Sequence, residues 1–233
     1  SLCGATFLIF NGFQIIVQFA FFIIIFYLYN GDTVAAGHWP AWFGTVSALA
    51  TAFLVIPIIT IMSQKIDKKN AFIVATLISM VGYALKWWGF NPENPFLMFI
   101  PIPLMSFGIG GLFTLMMSMT ADVCDLDELE NGTRREATFG AVYWWMVKLG
   151  TAVALLTSGA VLNLVGFDQN ATAQTADVLT RLRLADIIIP VTTGLIAILV
   201  IWKYDVTEAR ANEIRELLIA KRGNIYAENA EKP

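Results

Sequence analysis

The chain has 233 residues, of which 57% are hydrophobic and only 14% charged, with a mean hydropathy of +0.66 and a formal net charge of −3. Soluble domains average about 25% charged and about 45–50% apolar residues, so this composition, with 17 Phe and 7 Trp, describes an integral membrane protein. Its basic residues never reach the density of a phosphate track, which argues against nucleic acid. Cys3 and Cys124 are too few and too far apart for a disulfide framework or a metal site.

Hydrophobic sequence begins directly after Ser1, with neither a basic n-region nor an A-x-A-like site. The start is therefore no signal peptide and reads as a piece that opens at a helix boundary. Six spans of roughly 20 or more apolar residues follow. The first is Ala5–Tyr29, and a polar turn at Asn30-Gly31-Asp32 and Gly37-His38-Trp39-Pro40 leads to the second, Trp42–Met62. A short basic loop, Gln64 to Asn70, precedes the third, Ala71–Phe90, and Asn91-Pro92-Glu93-Asn94-Pro95 turns into the fourth, Phe96–Thr120. The charged stretch Asp122–Glu136 reads as a loop before the fifth span, Ala137–Val165. A polar loop, Gly166 to Arg183, precedes the sixth, Leu184–Trp202. Two regions result: residues 1–204 as a six-helix transmembrane unit and 205–233 as a soluble tail. Within the tail, Thr207 N-caps a helix whose Ala211, Ile214 and Leu218 share a face, Gly223 supplies a stop, and Asn224 to Pro233 reads as disordered.

Orientation follows from the basic residues. Eleven fall on one side: Lys65, Lys68, Lys69, Arg134, Arg135, Lys203, Arg210, Arg215, Lys221, Arg222 and Lys232. The other side has Arg181, Arg183 and Lys86, the last placed to snorkel beside Trp87 and Trp88. Both termini are thus expected in the cytoplasm, where Cys3 and Cys124 would be reduced.

The polar residues within the spans carry the functional signal. Asn11, Gln14 and Gln18 recur at i, i+3 and i+7, so their amides share one face of the first helix. That face must meet protein or water, because hydrocarbon offers no partners. It suits a cavity that hydrogen-bonds a polyhydroxylated solute, and equally a set of interhelical ties. Thr45, Ser47, Thr51 and Pro57 in the second span read as close packing and a bend, and Gly108, Gly110 and Gly111 in the fourth as packing positions, with a hinge as their functional option. Lys148 lies twelve residues past Glu136, about 5 Å from the middle of its span at 1.5 Å per residue. Snorkelling from that depth is hard, so Lys148 should face a cavity or an acid, and no acid of this chain lies at matching depth. Trp144, four residues earlier, shares its face and offers a flat surface to an apolar sugar face. Asp122, Asp125, Asp127, Glu128 and Glu130 leave one span and Arg134 and Arg135 enter the next, an order that suits ion pairs holding a gate.

The run Ala121-Asp122-Val123-Cys124-Asp125-Leu126-Asp127-Glu128-Leu129, followed by Asn131-Gly132-Thr133-Arg134-Arg135-Glu136, resembles the A-D-x-x-D-x-x-E…T-G-x-R-R-E signature of the glycoside–pentoside–hexuronide:cation symporters. These are the melibiose-carrier-like members of the major facilitator superfamily, and Asn131 replaces the signature's threonine. The likeness continues through Val147-Lys148-Leu149-Gly150, Gly166-Phe167-Asp168 and the tail, and covers nearly the whole chain as helices seven to twelve of such a carrier. It implies an all-α fold, the C-terminal half of a major facilitator built of 3+3 inverted repeats, in a bacterial inner membrane. By resemblance, Lys148 faces the central cavity, Tyr143, Trp144 and Val147 lie near the sugar, and Asp122, Asp125, Arg134 and Arg135 form a cytoplasmic charge network. No cofactor is implied beyond a coupling Na⁺ or H⁺, whose site belongs mostly to an N-terminal six-helix half, the expected partner together with lipid and a sugar or glycoside. Lys65-Ile66-Asp67-Lys68-Lys69 is a degenerate echo of the superfamily's D-R-x-G-R-R motif.

The expected function is sugar–cation symport by alternating access. Its rivals are a six-span structural subunit without transport activity and a carrier of a lipid-like amphiphile, which the Tyr143–Trp145 aromatics would suit. A retinal protein requires seven spans with the lysine on the last. An enzyme is disfavoured because no nucleophile–base set or metal-ligand cluster occurs.

Overall fold

A computed structural model describes residues 1–230, and every regular element in it is a helix. Six helices are long and apolar enough to cross a membrane: α1 (Leu2–Leu28), α2 (Thr33–Ile66), α3 (Lys68–Gly89), α4 (Pro95–Asn131), α5 (Glu136–Val165) and α6 (Ala176–Ile201). A seventh, α7 (Glu208–Ala230), forms the tail. Three spans contain a wide π-turn, at Ile23–Leu28 in α1, Thr51–Val55 in α2 and Leu112–Met116 in α4.

The pairing of the helices defines the architecture. α1 packs mainly on α5 and α6, α4 on α2 and α3, and α3 on α6. Exchanging each helix with the one three places on (α1 with α4, α2 with α5, α3 with α6) maps this set of contacts onto itself. That is the pairing of a three-helix unit repeated in inverted topology, a six-helix half of the major facilitator fold. Accordingly α1 and α4, at the centre, are the most buried spans and α2 the least. Close approach is made possible by glycine at matching places. A Cβ on Gly82 would lie 2.5 Å from the Met105 nitrogen where α3 meets α4, and one on Gly12 would collide with Thr193 where α1 meets α6. Two apolar clusters fill the interior, one around Phe72, Leu112 and Met116, the other around Phe19, Met98 and Ile102.

Several boundaries differ from expectation. α4 does not stop near Thr120 but runs on to Asn131, so Asp122 and Asp125 stand on a helix rather than in a loop, and Gly132 closes it with φ +74°. α6 starts at Ala176, N-capped by Thr175, which places Arg181 and Arg183 inside the helix. The tail helix is N-capped by Thr207, whose Oγ1 accepts from the Arg210 N–H at 3.2 Å, and Ala211, Ile214 and Leu218, which share a face, are buried. It continues through Gly223 to Ala230, past the expected stop. Of the stretch 224–233 read as disordered, residues 224–230 are helical and 231–233 lie outside the described residues.

Candidate functional site

α5 carries Lys148 on its outward flank. Its buried side, Tyr143, Val147, Gly150, Ala154 and Ser158, packs on α1, while Trp144, Lys148 one turn on and Leu155 two turns further follow one another beside it. Lys148 is exposed and makes no ion pair among the described residues. Trp144 is 46% exposed, and its ring lies 6.5 Å from that of Phe113 on the π-turn of α4. Phe113 in turn meets Phe10 edge-on at 6.2 Å, and Phe10 meets Phe13 at 6.1 Å. The lysine's flank is thus continuous with the outward faces of α4 and α1.

The other predicted residues divide. Tyr143 and Val147 are each 5% exposed, and the Tyr143 hydroxyl has no hydrogen-bond partner among the described residues. Asn11 donates from Nδ2 to the Gly150 carbonyl at 3.3 Å, at the point where a Cβ on Gly150 would lie 3.1 Å from the Phe7 carbonyl oxygen. Gln18 accepts from the Ser158 hydroxyl through Oε1, and its Nε2 has no hydrogen-bond partner among the described residues. Two of the three amides therefore tie α1 to α5. Gln14 sits between Phe10 and Val17 on the outward stripe of α1, half-buried and without a hydrogen bond among the described residues.

From Phe113 and Phe13 this surface runs into a groove of about 530 Å³ between α1 and α2, floored by α4. Its walls carry Val17, Phe21 and Phe43, and its hydroxyls are those of Ser47, Thr51, Ser106 and Tyr83. Thr51 donates to the Ser47 carbonyl and Ser106 to the Ile102 carbonyl, both at 2.8 Å.

The sequence profile of the MFS/sugar transport protein family matches residues 5–208. The chain belongs to that family. Among curated relatives, a glucuronide carrier protein homolog of Escherichia coli (strain K12) is 28% identical over 158 residues, covering 68% of this chain and 34% of the relative. The isoprimeverose transporter of Lactiplantibacillus pentosus is 27% identical over 161 residues, covering 68% and 33%. An E. coli protein named as a glycoside/cation symporter, YagG, is 27% identical over 108 residues, covering 46% and 24%. This chain spans about a third of the length of the first of these relatives. The family is one of transporters, as expected, not of enzymes.

In this MFS/sugar transport chain the four residues expected at a gate fall into three clusters, two of them linked by Arg215, whose Nε lies 3.9 Å from Asp125 Oδ2. Arg134 donates from Nη1 to Asp125 and Glu128 and from Nε to Glu136, each at 2.9 Å. These bonds, that to Glu136 foremost, hold its guanidinium still further above its ordinary pKa, so it stays charged at any working pH. Arg135 forks onto Asp127. Asp122 joins neither arginine. It is 2% exposed and accepts from Lys68 at 2.6 Å and from Arg215 of the tail at 2.7 Å. The same Asp67-Lys68-Lys69 turn holds the tail twice more: Asp67 accepts from the Glu208 N–H at 2.9 Å, and Lys69 donates to the Trp202 and Tyr204 carbonyls at 2.6 and 2.9 Å. The turn that only echoed a superfamily motif therefore fastens α4, α6 and the tail together. Replacing Asp122 with Ala removes the closest anion Lys68 and Arg215 share and leaves them only Glu208 in common, at 3.5 and 4.0 Å. We expect this to loosen the tail by about 1–3 kcal/mol, read as faster amide hydrogen exchange across Glu208–Leu218 with little change in α5.

Sequence reasoning missed a second cluster, near the opposite ends of α3 and α6. Lys86 does not snorkel: it pairs with Asp186, and each is 1% exposed. Arg183 is stacked between the Tyr27 and Trp87 rings, its guanidinium 4.1 and 4.3 Å from their centroids, and donates to the Trp87 carbonyl. Asp186 Oδ1 and Arg183 Nε have no hydrogen-bond partner among the described residues. Pro190, four residues after Asp186, has no N–H to return to the Asp186 carbonyl. The signal lay in α3, where Thr76, Ser79, Tyr83 and Lys86 recur at i, i+3, i+7 and i+10 and all turn inward.

Proposed function

We propose that the chain is the second six-helix half of a secondary carrier that moves a sugar or glycoside with Na⁺ or H⁺. One observation carries the reading: a lysine half-way along α5 with no ion pair among the described residues, on a flank shared with an exposed tryptophan and continuous with a lined groove. A charge at that depth is costly against lipid, so the flank faces water, solute or an acid supplied by a partnering N-terminal half. Trp144 offers the stacking surface and Gln14 the free amide a sugar requires. The names of the relatives, a glucuronide carrier homolog, an isoprimeverose transporter and a glycoside/cation symporter, favour the same solute class and cation coupling. In this reading the excess of basic residues places the Lys68, Arg134 and tail end in the cytoplasm. The Arg134 and Arg135 bridges then open and close as one half rocks against the other.

The test is uptake by the complete carrier in proteoliposomes. Methyl glycosides of glucuronic acid, xylose, glucose and galactose are offered with an inward Na⁺ gradient, an inward proton gradient or none. We expect at least one to accumulate above its outside concentration under one gradient alone. Absence of gradient-dependent uptake across the panel would overturn the reading.

A further inference from the structure

We infer that the groove between α1 and α2 is an aglycone subsite, so that the solute is a glycoside bearing an apolar, preferably aromatic, aglycone rather than a free sugar. The inference rests on the carrier reading above and specifies the substrate class of the same surface.

The groove lies in the size range of small-molecule pockets, roughly 300–1,000 Å³, at about 530 Å³. Its chemistry suits one part of a glycoside and not the other. A sugar ring presents several hydroxyls that must each find a partner when withdrawn from water. The groove has four hydroxyls for its whole length, and those of Thr51 and Ser106 already donate to carbonyls of their own helices. Ser47 Oγ lies 3.4 Å from Ser106 Oγ, which leaves little for a ligand. Phe13, Phe21, Phe43 and Phe113 instead offer the edges and faces that hold an aromatic ring.

Position gives the second argument. Phe113 both lines the groove and contacts Trp144, one turn from Lys148. A sugar held by Trp144, Lys148 and Gln14 therefore has its substituent directed across Phe113 into the groove. The two surfaces are one site with a polar and an apolar end. The α2 wall is built from Gly44, Ser47, Ala48, Thr51 and Ala52, small residues that leave width for a ring, and a Cβ built on Gly44 meets nothing within 4 Å.

The experiment is direct binding of paired methyl and phenyl glycosides, β-glucuronides, β-xylosides and β-galactosides, to the complete carrier in nanodiscs, in wild type and in Gly44→Phe. The variant places a ring in open space and exchanges a poor helix former for a better one. For whichever methyl glycoside binds, we expect the phenyl partner to bind about tenfold or more tightly, and the phenyl-to-methyl ratio to fall to near one in Gly44→Phe. Equal affinities in wild type would overturn the inference and leave the carrier reading standing. So would a phenyl advantage that survives in Gly44→Phe, because the ring would then lie elsewhere. Binding of neither series would overturn both.

Discussion

Replacing Asp186 with Ala is expected to cost about 3–5 kcal/mol, the penalty for leaving one partner of a buried ion pair alone. Lys86 and Asp186 are each 1% exposed at the contact between α3 and α6, so neither charge has water to fall back on. Such a loss is a large part of a stability of about 5–15 kcal/mol. It should lower the thermal midpoint of the detergent-solubilised carrier by several degrees. The double substitution Lys86→Met, Asp186→Leu removes both charges and keeps the volume, and it should recover most of the loss. The pair thus specifies how α3 meets α6 more than it stabilises the contact. A midpoint unmoved by Asp186→Ala would show that Lys86 finds another partner and that the pair is dispensable.

Replacing Lys148 with Met is expected to have the opposite profile: uphill uptake is abolished while the fold is unaffected. Because the ammonium is exposed and unpaired within the described residues, its removal strands no buried partner within this half. The thermal midpoint should move by no more than about 2 °C, as for surface positions. Transport depends on the same group because a lone cation at mid-span is the element an acid of the other half, or the solute, answers. Inside and outside concentrations of the transported glycoside should then equalise under either gradient. Undiminished accumulation by Lys148→Met would refute the assigned role, and a collapse in midpoint would mean that the residue is structural.

These two lysines also mark what could be read in the sequence. Six spans and an amphipathic tail followed from apolar run lengths and caps, and the depth of Lys148 from counting residues along one helix. Lys86 was misread because its neighbours Trp87 and Trp88 suggested an interface, whereas its partner arrives from α6. With the start of that helix placed at Leu184 rather than Ala176, Asp186 falls two residues from a helix end. Asn11, Gln14 and Gln18 show a different limit. Their spacing put them on one face, but only the approach of α5 through Gly150 separates the two amides that tie helices from the one that looks outward. The run Asp122–Asn131 has a loop's charge and a helix's propensities, and propensity prevailed because α7 packs along it and Arg215 reaches Asp122. No local pattern announces a partner ninety-three residues away.

The continuation of α4 to Asn131 makes that helix a lever arm. From Ile102 to Asn131 it is about 45 Å long at 1.5 Å per residue. A tilt of about 5° about its far end then sweeps the tip sideways by about 4 Å, the distance beyond which an ion pair ceases to act as one. The angular range over which Arg134, Arg135 and Arg215 can keep hold of α4 is therefore only a few degrees. A change in packing too slight to register at the pivot is converted, at the tip, into the difference between a fastened and an unfastened end.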